Sequence, residues 1–582
     1  MESSEQQGKY LQAAEAKGLG SRLWAYSKLS GPGWLQSAIT LGGGSLASSL
    51  FLGVLAGYSL LWLQPVAILL GIIMLSAVTH VTLSTGQSPF VSINNEINPV
   101  LGWGWAIATI MANIVWCLPQ FSLGTAAITQ NLLPSLDHTW GKALSCLLIL
   151  AIAITVVWAY DRGSKGVKIF DWILKIMVGL VVVSFFGVVV QLGASGELDW
   201  GSIFAGFVPN LSLLHEPASV YEPFLSKVGD FREFWESKII GMQRDVMISA
   251  AATAVGINMT FFMPFVLLRR KWGRQHRGLA KFDLWTALLI PYVVATTCVV
   301  IAAGSRFNGK PESAYSNYED KIIHLNLRSG FLSLSEDRAK EELGAENFQA
   351  LAPVQQDQII TDLPAVDKEL AAMLVKRDSY NLANSLEGLF GSELFSHYVF
   401  GIGVLGMAIS TIIILMTING HAVCEIFGKP HQGPLFMVGA LVAGIGVLGP
   451  FVWSDAAFWL AVPTSILGFT LIPVAYLSFF LLINNKSILG RERPEGIKRI
   501  LENTFMLLAL LIMGSSAFYV AWHKTWNGFP VGQIVLIVFG IMLLIGHFSL
   551  RNKKLTKKIE GLEMRLQRIN NQLQDSKQSS TS

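Results

Sequence analysis

The chain has 582 residues, 52% of them apolar and only 14% charged, with a mean hydropathy of +0.49. Soluble domains carry about 25% charged residues, so most of this chain belongs in lipid. The net charge of +4 is small, and topology accounts for the Lys/Arg clusters, so a nucleic-acid partner is not needed to explain them.

The opening "MESSEQQGKYLQAAEAKGLGSRLWAYSK" is polar and mixed in charge. It lacks the apolar core and small-residue cleavage site of a signal peptide, so the first span is expected to insert as an internal anchor. No Asp, Glu, Lys or Arg then occurs between Lys28 and Glu96. A single helical span needs only about 20 apolar residues.

Twelve spans follow from apolar stretches set against charged punctuation. They are expected near 33–56, 58–82, 103–133, 142–160, 171–193, 245–268, 283–304, 398–420, 433–453, 456–484, 503–522 and 530–550. The basic stretches "RLWAYSK", "DRGSKGVK", "RRKWGRQHRGLAK", "NNKSILGRERPEGIKR" and "RNKKLTKK" all fall on one side of that topology. The positive-inside rule makes that side cytoplasmic, with both termini inside, in the plasma (inner) membrane. The expected organisation is a cytoplasmic tail (1–30), spans one to seven (31–304), an extracytoplasmic helical insert (305–396), spans eight to twelve (397–550) and a cytoplasmic tail (551–582).

The first span, "GPGWLQSAITLGGGSLASSLFLG", is interrupted at Gly42, Gly43, Gly44 and Ser45. Unwound backbone survives in hydrocarbon only inside protein or beside a water-filled cavity. Transporters use such breaks to hold substrate at the midplane, in corresponding spans of two repeats. Five spans later "AATAVGINMTFFMPFVLL" carries Gly256, Asn258 and Pro264, so the two interruptions fit a five-plus-five inverted repeat with two extra spans. The competing reading of the glycines is close helix packing. Packing alone uses one face at four-residue spacing, and three glycines in a row exceed that need.

Other ionisable groups near the membrane are few. Asp171 and Lys175 are four residues apart at the start of span five and are expected to pair. His421 and Glu425, also four apart at the end of span eight, are expected to pair or gate, with His421 the best remaining titratable candidate. Arg244 and Asp245 are expected among headgroups on the outer side. The cysteines Cys117, Cys146, Cys298 and Cys424 all lie in apolar segments and read as small core residues, without a disulfide framework. No enzyme constellation or cofactor motif emerges.

After span twelve, Leu555, Ile559, Leu562, Leu566, Ile569 and Leu573 recur at spacings of four and three. That seam serves either a coiled coil pairing subunits or one amphipathic helix lying on the lipid surface.

Several of these stretches resemble NRAMP-type (natural resistance-associated macrophage protein) divalent-metal transporters. They are "GPGWLQSAITLGGGSLASSLFLGVLAGYSLLW", "FSLGTAAITQNLL", "FGIGVLGMAISTIIILMTINGHAVCEIFG" and "IPVAYLSFFLLINNKSILG", taken in order through spans one to ten. The resemblance implies an all-α LeuT-type fold, two inverted five-helix repeats plus two extra spans. It also implies a secondary-active symporter for a divalent metal ion coupled to protons. The departures bear on the cargo. NRAMP transporters carry Asp-Pro-Gly-Asn where this chain has Gly42 to Ser45, and their Met-Pro-His falls near Met259 to Phe262. Their acidic residues in span three are replaced by a stretch whose polar groups are Asn113 and Gln120. The substrate is therefore expected between the two breaks, contacted by Gly42, Gly43, Gly44, Ser45, Asn258, Met259 and Thr260, with Gln120 and Asn113 lining the cavity. Divalent cations in low dielectric want anionic oxygen, so ordinary Mn²⁺ or Fe²⁺ binding is not expected. A small organic anion, amino acid or neutral solute on the same fold is the alternative cargo, and a non-transporting sensor or scaffold is the third reading.

Overall fold

The computed structural model describes residues 4–162, 164–311, 325–377, 381–383, 393–452, 461–525 and 529–579. The helices used below are α1 (Pro32–Thr40), α2 (Gly43–Ala56), α3 (Leu63–Thr85), α4 (Pro99–Ala126), α5 (Thr139–Asp161), α6 (Ser164–Ala194), α7 (Arg232–Ala254) and α8 (Ile257–Arg269). They continue with α9 (Leu289–Phe307), α10 (Leu325–Leu343), α11 (Ala365–Leu374), α12 (Glu393–Ile426), α13 (Pro434–Gly444), α14 (Ala461–Asn484), α15 (Gly496–Trp522) and α16 (Val531–Ser579). Among the described residues, eleven helical stretches are long and apolar enough to cross a membrane, and the bent pair α1–α2, taken as one span, makes a twelfth.

Local chemistry starts these helices where the chain turns back. Proline occupies the first helical position of α1, α4 and α13, where the missing N–H costs nothing. Asn98 caps α4 by accepting from the Val100 N–H at 2.9 Å, and His138 caps α5 by accepting from Gly141 N at 2.9 Å. The helix of the sixth span begins at Arg232, well before the apolar run expected from position 245. Hydropathy marks what lipid covers, and the helix continues past it.

Spans six and eight form the centre, each 83% buried over its most apolar window, whereas α16 is 11% buried and peripheral. At one end of the bundle, α10 and α11 pack on the early turns of α7. Trp235 Nε1 donates to Asp367 Oδ1 at 2.6 Å, Arg338 pairs with Asp367 at 3.3 Å, and Lys238 pairs with Asp337 at 2.5 Å.

The opposite end gathers the basic loops. Arg277 and Arg274 pair with Glu492 at 2.8 and 3.1 Å, and Lys554 pairs with Glu96 at 2.8 Å. Asp171 pairs with Arg270, and Lys175 donates to the Ser30 carbonyl at 3.1 Å. The expected Asp171–Lys175 pair is thus corrected. An intrahelical spacing permits a contact, but the tertiary neighbours Arg270 and Ser30 offer better-placed partners.

Candidate functional site

The first span unwinds at Leu41 and Gly42. Leu41 has φ −82° and ψ 59°, Gly42 is extended at φ −109° and ψ −176°, and the axis turns by 55°. The helix resumes at Gly43, so the break is shorter than the expected Gly42–Ser45. Two hydrogen bonds favour the earlier start. Gly43 N–H donates to Gln120 Oε1 at 2.9 Å, and the Ser45 hydroxyl turns back to the Thr40 carbonyl. Helix geometry leaves the next two N–H groups, of Gly44 and Ser45, without intrahelical acceptors.

The three glycines have a packing reason, the competing reading that the sequence argument set aside. A Cβ on Gly42 would meet Thr411 Oγ1 at 2.6 Å, one on Gly43 would meet Leu123 Cδ2 at 2.7 Å, and one on Gly44 would meet Thr253 Cγ2 at 2.8 Å. Spans eight, three and six therefore crowd three successive faces of one turn. Packing here uses three faces rather than one.

The sixth span breaks at Val255 and Gly256, both extended, and resumes at Ile257. Gly256 lies under the Trp116 ring, with 2.5 Å between its virtual Cβ and Cη2. Asn258 Oδ1 accepts from Met259 N at 2.8 Å, and its Nδ2 donates to Asn113 Oδ1 at 2.9 Å. Asn113 Nδ2 donates on to Asn419 Oδ1 at 2.9 Å. This amide ladder ties spans six, three and eight together.

Both breaks open on one small cavity of about 40 Å³. Gly42, Gly44, Ser45, Gln120, Asn258 and Met259 line it, as do Ile39, Trp116, Ala252, Thr253, Gly256, Thr411, Leu415 and Ser465. Gly43 stands behind the lining, bound to Gln120. Asn113 also sits behind it, consumed by the ladder. Thr260 does too, because its hydroxyl donates to the Ile257 carbonyl at 2.5 Å and accepts from Trp105 Nε1 at 2.9 Å. The sequence reading missed Trp116, Thr253, Thr411 and Ser465. Only three-dimensional packing brings these residues of four different spans to the breaks.

None of the lining residues carries a formal charge. Polarity comes from amides, hydroxyls, the Met259 thioether and the ends of four half-helices, whose partial charges are about half an elementary unit each. Among the described residues, no group of three or more His, Cys, Asp or Glu is arranged to hold a metal ion.

His421 and Glu425 lie away from this cavity and do not pair with one another. His421 is buried, with Nε2 at 3.1 Å from the Tyr160 hydroxyl and its ring stacked on Phe265. Glu425 pairs with His431 Nε2 at 2.9 Å. Arg244 donates to the Leu214 carbonyl at 2.6 Å. A further buried carboxylate escaped the sequence reading: Asp283 accepts from Ser30 Oγ and, at 2.5 Å, from Gly33 N. It caps α1 and so clamps the basic end of the broken span.

A broken-helix pair around a central cavity within twelve spans defines an all-helical, multi-pass integral membrane protein of the LeuT-type fold. Residues 33–320 match the family model described as natural resistance-associated macrophage protein-like. The chain is 23% identical over 205 residues to a divalent metal cation transporter, MntH, of Brucella suis biovar 1 (strain 1330), and 27% identical over 198 residues to metal transporter Nramp4 of Arabidopsis thaliana. Those stretches span 35% and 33% of this chain, and 41% and 35% of the relatives. The crystal structure of an Eremococcus coleocola manganese transporter, in complex with an aromatic bis-isothiourea substituted compound, superposes with a TM-score of 0.60 at 13% identity. That match covers 91% of this chain and 95% of the other. Over residues 33–320, close to half of its length, the chain is thus similar to the NRAMP-type family.

Proposed function

We propose that the protein is a secondary-active transporter whose cargo sits between the breaks of spans one and six. The observation that carries this reading is geometric: two unwound stretches of different spans face one cavity, which is where transporters with broken helices bind substrate. The similarity to metal transporters favours a metal cation as cargo. The neutral lining then implies that the ion keeps part of its water and is held by amide, hydroxyl and carbonyl oxygens with Met259 beside them. Fully dehydrating a divalent ion without anionic oxygen is costly. Proton coupling belongs to this reading, as does an orientation with the basic end and both termini in the cytoplasm of a plasma membrane.

The second reading keeps the fold and changes the cargo to a small organic anion, amino acid or neutral solute. What favours it is the pair of N–H groups at Gly44 and Ser45, which begin a half-helix at the cavity wall and present positive dipole there.

Uptake into proteoliposomes, screened across metal ions and organic solutes at several pH values, separates the two. The metal reading expects cation uptake with weak Mn²⁺ binding by calorimetry. It further expects Gln120→Glu, which keeps an acceptor for Gly43 N–H while adding an anionic oxygen, to tighten Mn²⁺ binding at least tenfold. Micromolar, saturable Mn²⁺ binding by the unaltered protein, lost in Ser45→Ala, would overturn the hydrated-ion account. Uptake of organic solutes alone would establish the second reading.

A further inference from the structure

Helix α16 runs 49 residues without interruption from Val531 to Ser579. At 1.5 Å per residue it is about 73 Å long, more than twice the roughly 30 Å of a hydrocarbon core. A tail lying flat on the lipid would need a break where it leaves the membrane, and α16 is continuous there. Its second half therefore projects from the basic end of the bundle as a free rod.

One face of the rod is occupied. Phe539 and Leu543 pack against the core. Asn98 Nδ2 donates to the Leu543 carbonyl at 2.9 Å, and Lys554 pairs with Glu96. The heptad seam lies on the other side. Ile541 is two residues from both Phe539 and Leu543, which is about 200° around a helix. Counting by four and three from Leu555 toward the membrane reaches Phe548, Ile545, Ile541, Val538 and Ile534, with Asn552 falling on the seam where the rod emerges. Each of these apolar positions, and each of Leu555, Ile559, Leu562, Leu566 and Ile569, is at least 40% exposed. In the membrane half lipid accounts for that exposure. In the projecting half nothing among the described residues covers it.

We infer that a second copy of this chain covers this face, through a parallel two-stranded coiled coil of α16 with α16. Three features select a copy over another partner. Two chains inserted the same way in one bilayer present their α16 rods parallel and at the same height, so the register needs no further specification. The seam places Ile559 and Leu566 at a positions and Leu555, Leu562 and Ile569 at d, and its one polar core position holds Asn552, a device that selects a two-stranded, in-register pair. The flanking charges are also self-complementary. Lys558 at g faces Glu563 at e of the opposite helix, twice by symmetry, and only in the parallel arrangement. Fewer than three heptads would pair poorly in free solution, but confinement to a membrane plane raises the effective concentration. This inference is independent of the cargo and of transport itself.

The test uses the full chain in membranes, where all four native cysteines are buried. Single cysteines are introduced as Leu555→Cys and Leu562→Cys on the seam, and as Glu560→Cys and Met564→Cys off it, then oxidised with copper phenanthroline. The seam positions are expected to give disulfide-linked dimer at least fivefold above the off-seam positions. In a second arm on solvent-exposed residues, Lys558→Glu and Glu563→Lys each reduce dimer formed through Leu562→Cys, and the two together restore it. Cross-linking at no position, which would leave lipid or a different protein on the seam, would overturn the inference. So would equal cross-linking at all four positions, or a double charge reversal no better than either single one.

Discussion

Asp367→Ala tests how the helices after span seven are held to the bundle. Asp367 is 2% exposed and faces Arg338, itself 2% exposed, at 3.3 Å. The same carboxylate accepts from Trp235 Nε1 at 2.6 Å, so α10, α11 and the start of α7 meet on one group. Removing one member of a buried ion pair costs about 3–5 kcal/mol, because the remaining charge stays buried. Arg338 retains Glu342 at 2.8 Å, half exposed, and rests over the Phe231 ring. These leave the Ala variant near the lower bound, about 3 kcal/mol, or roughly two powers of ten in the docking equilibrium. Asp367→Asn keeps an acceptor for the indole and loses only the charge, so it is expected to cost less. Hydrogen exchange resolved by segment is the assay. Amides in Leu325–Leu343 and Ala365–Leu374 should exchange about a hundredfold faster in Asp367→Ala, with α12 unchanged. Exchange within threefold of the unaltered protein in those segments would refute the reasoning, since the carboxylate would then not be what holds them.

Gly44→Ala is expected to impair uptake and Thr253→Ser to rescue it, because serine removes the Cγ2 that stands 2.8 Å from the new Cβ. Overpacking costs about 1–3 kcal/mol, and a double-mutant cycle on thermal stability and on uptake should return most of that as coupling. Glu492 sits in the loop between α14 and α15, its pKa held below the ordinary 4.5 chiefly by the hydrogen bond from Arg277. A carboxylate with a depressed folded pKa contributes stability that is complete above its unfolded value and lost as pH falls through the folded one. Amide protection in Gly490–Glu492 should therefore persist to pH 4.5 and fall below it, and Arg277→Gln should move that loss to higher pH.

Much of the architecture was legible because lipid makes hydropathy nearly decisive. A run without charge from Lys28 to Glu96 has no soluble alternative, and each span found its helix. The breaks were legible too, since Gly42 and Gly256 stand where corresponding spans of two repeats need them. The partners of those breaks were not. Gln120 was expected at the cavity and is there, whereas Asn113, of the same residue class and seven positions earlier, is absorbed by Asn258 and Asn419. Helical spacing put both on the same face, two turns apart, and could not say which amide another amide would claim. Asp283 is the converse case. At the edge of an apolar run it reads as a boundary charge, and only the fold shows it buried against the free N–H groups that start α1.

By itself, then, the order of residues determined that the chain spans lipid twelve times, where two of those spans unwind, and that a heptad stripe follows the last. Those are properties of segments, written in hydropathy, glycine placement and period. Tertiary structure decided why three glycines stand together, which polar groups remain free at the breaks, and that the heptad stripe faces away from the bundle. Each depends on which distant side chain arrives first at a given atom, and no local pattern encodes that.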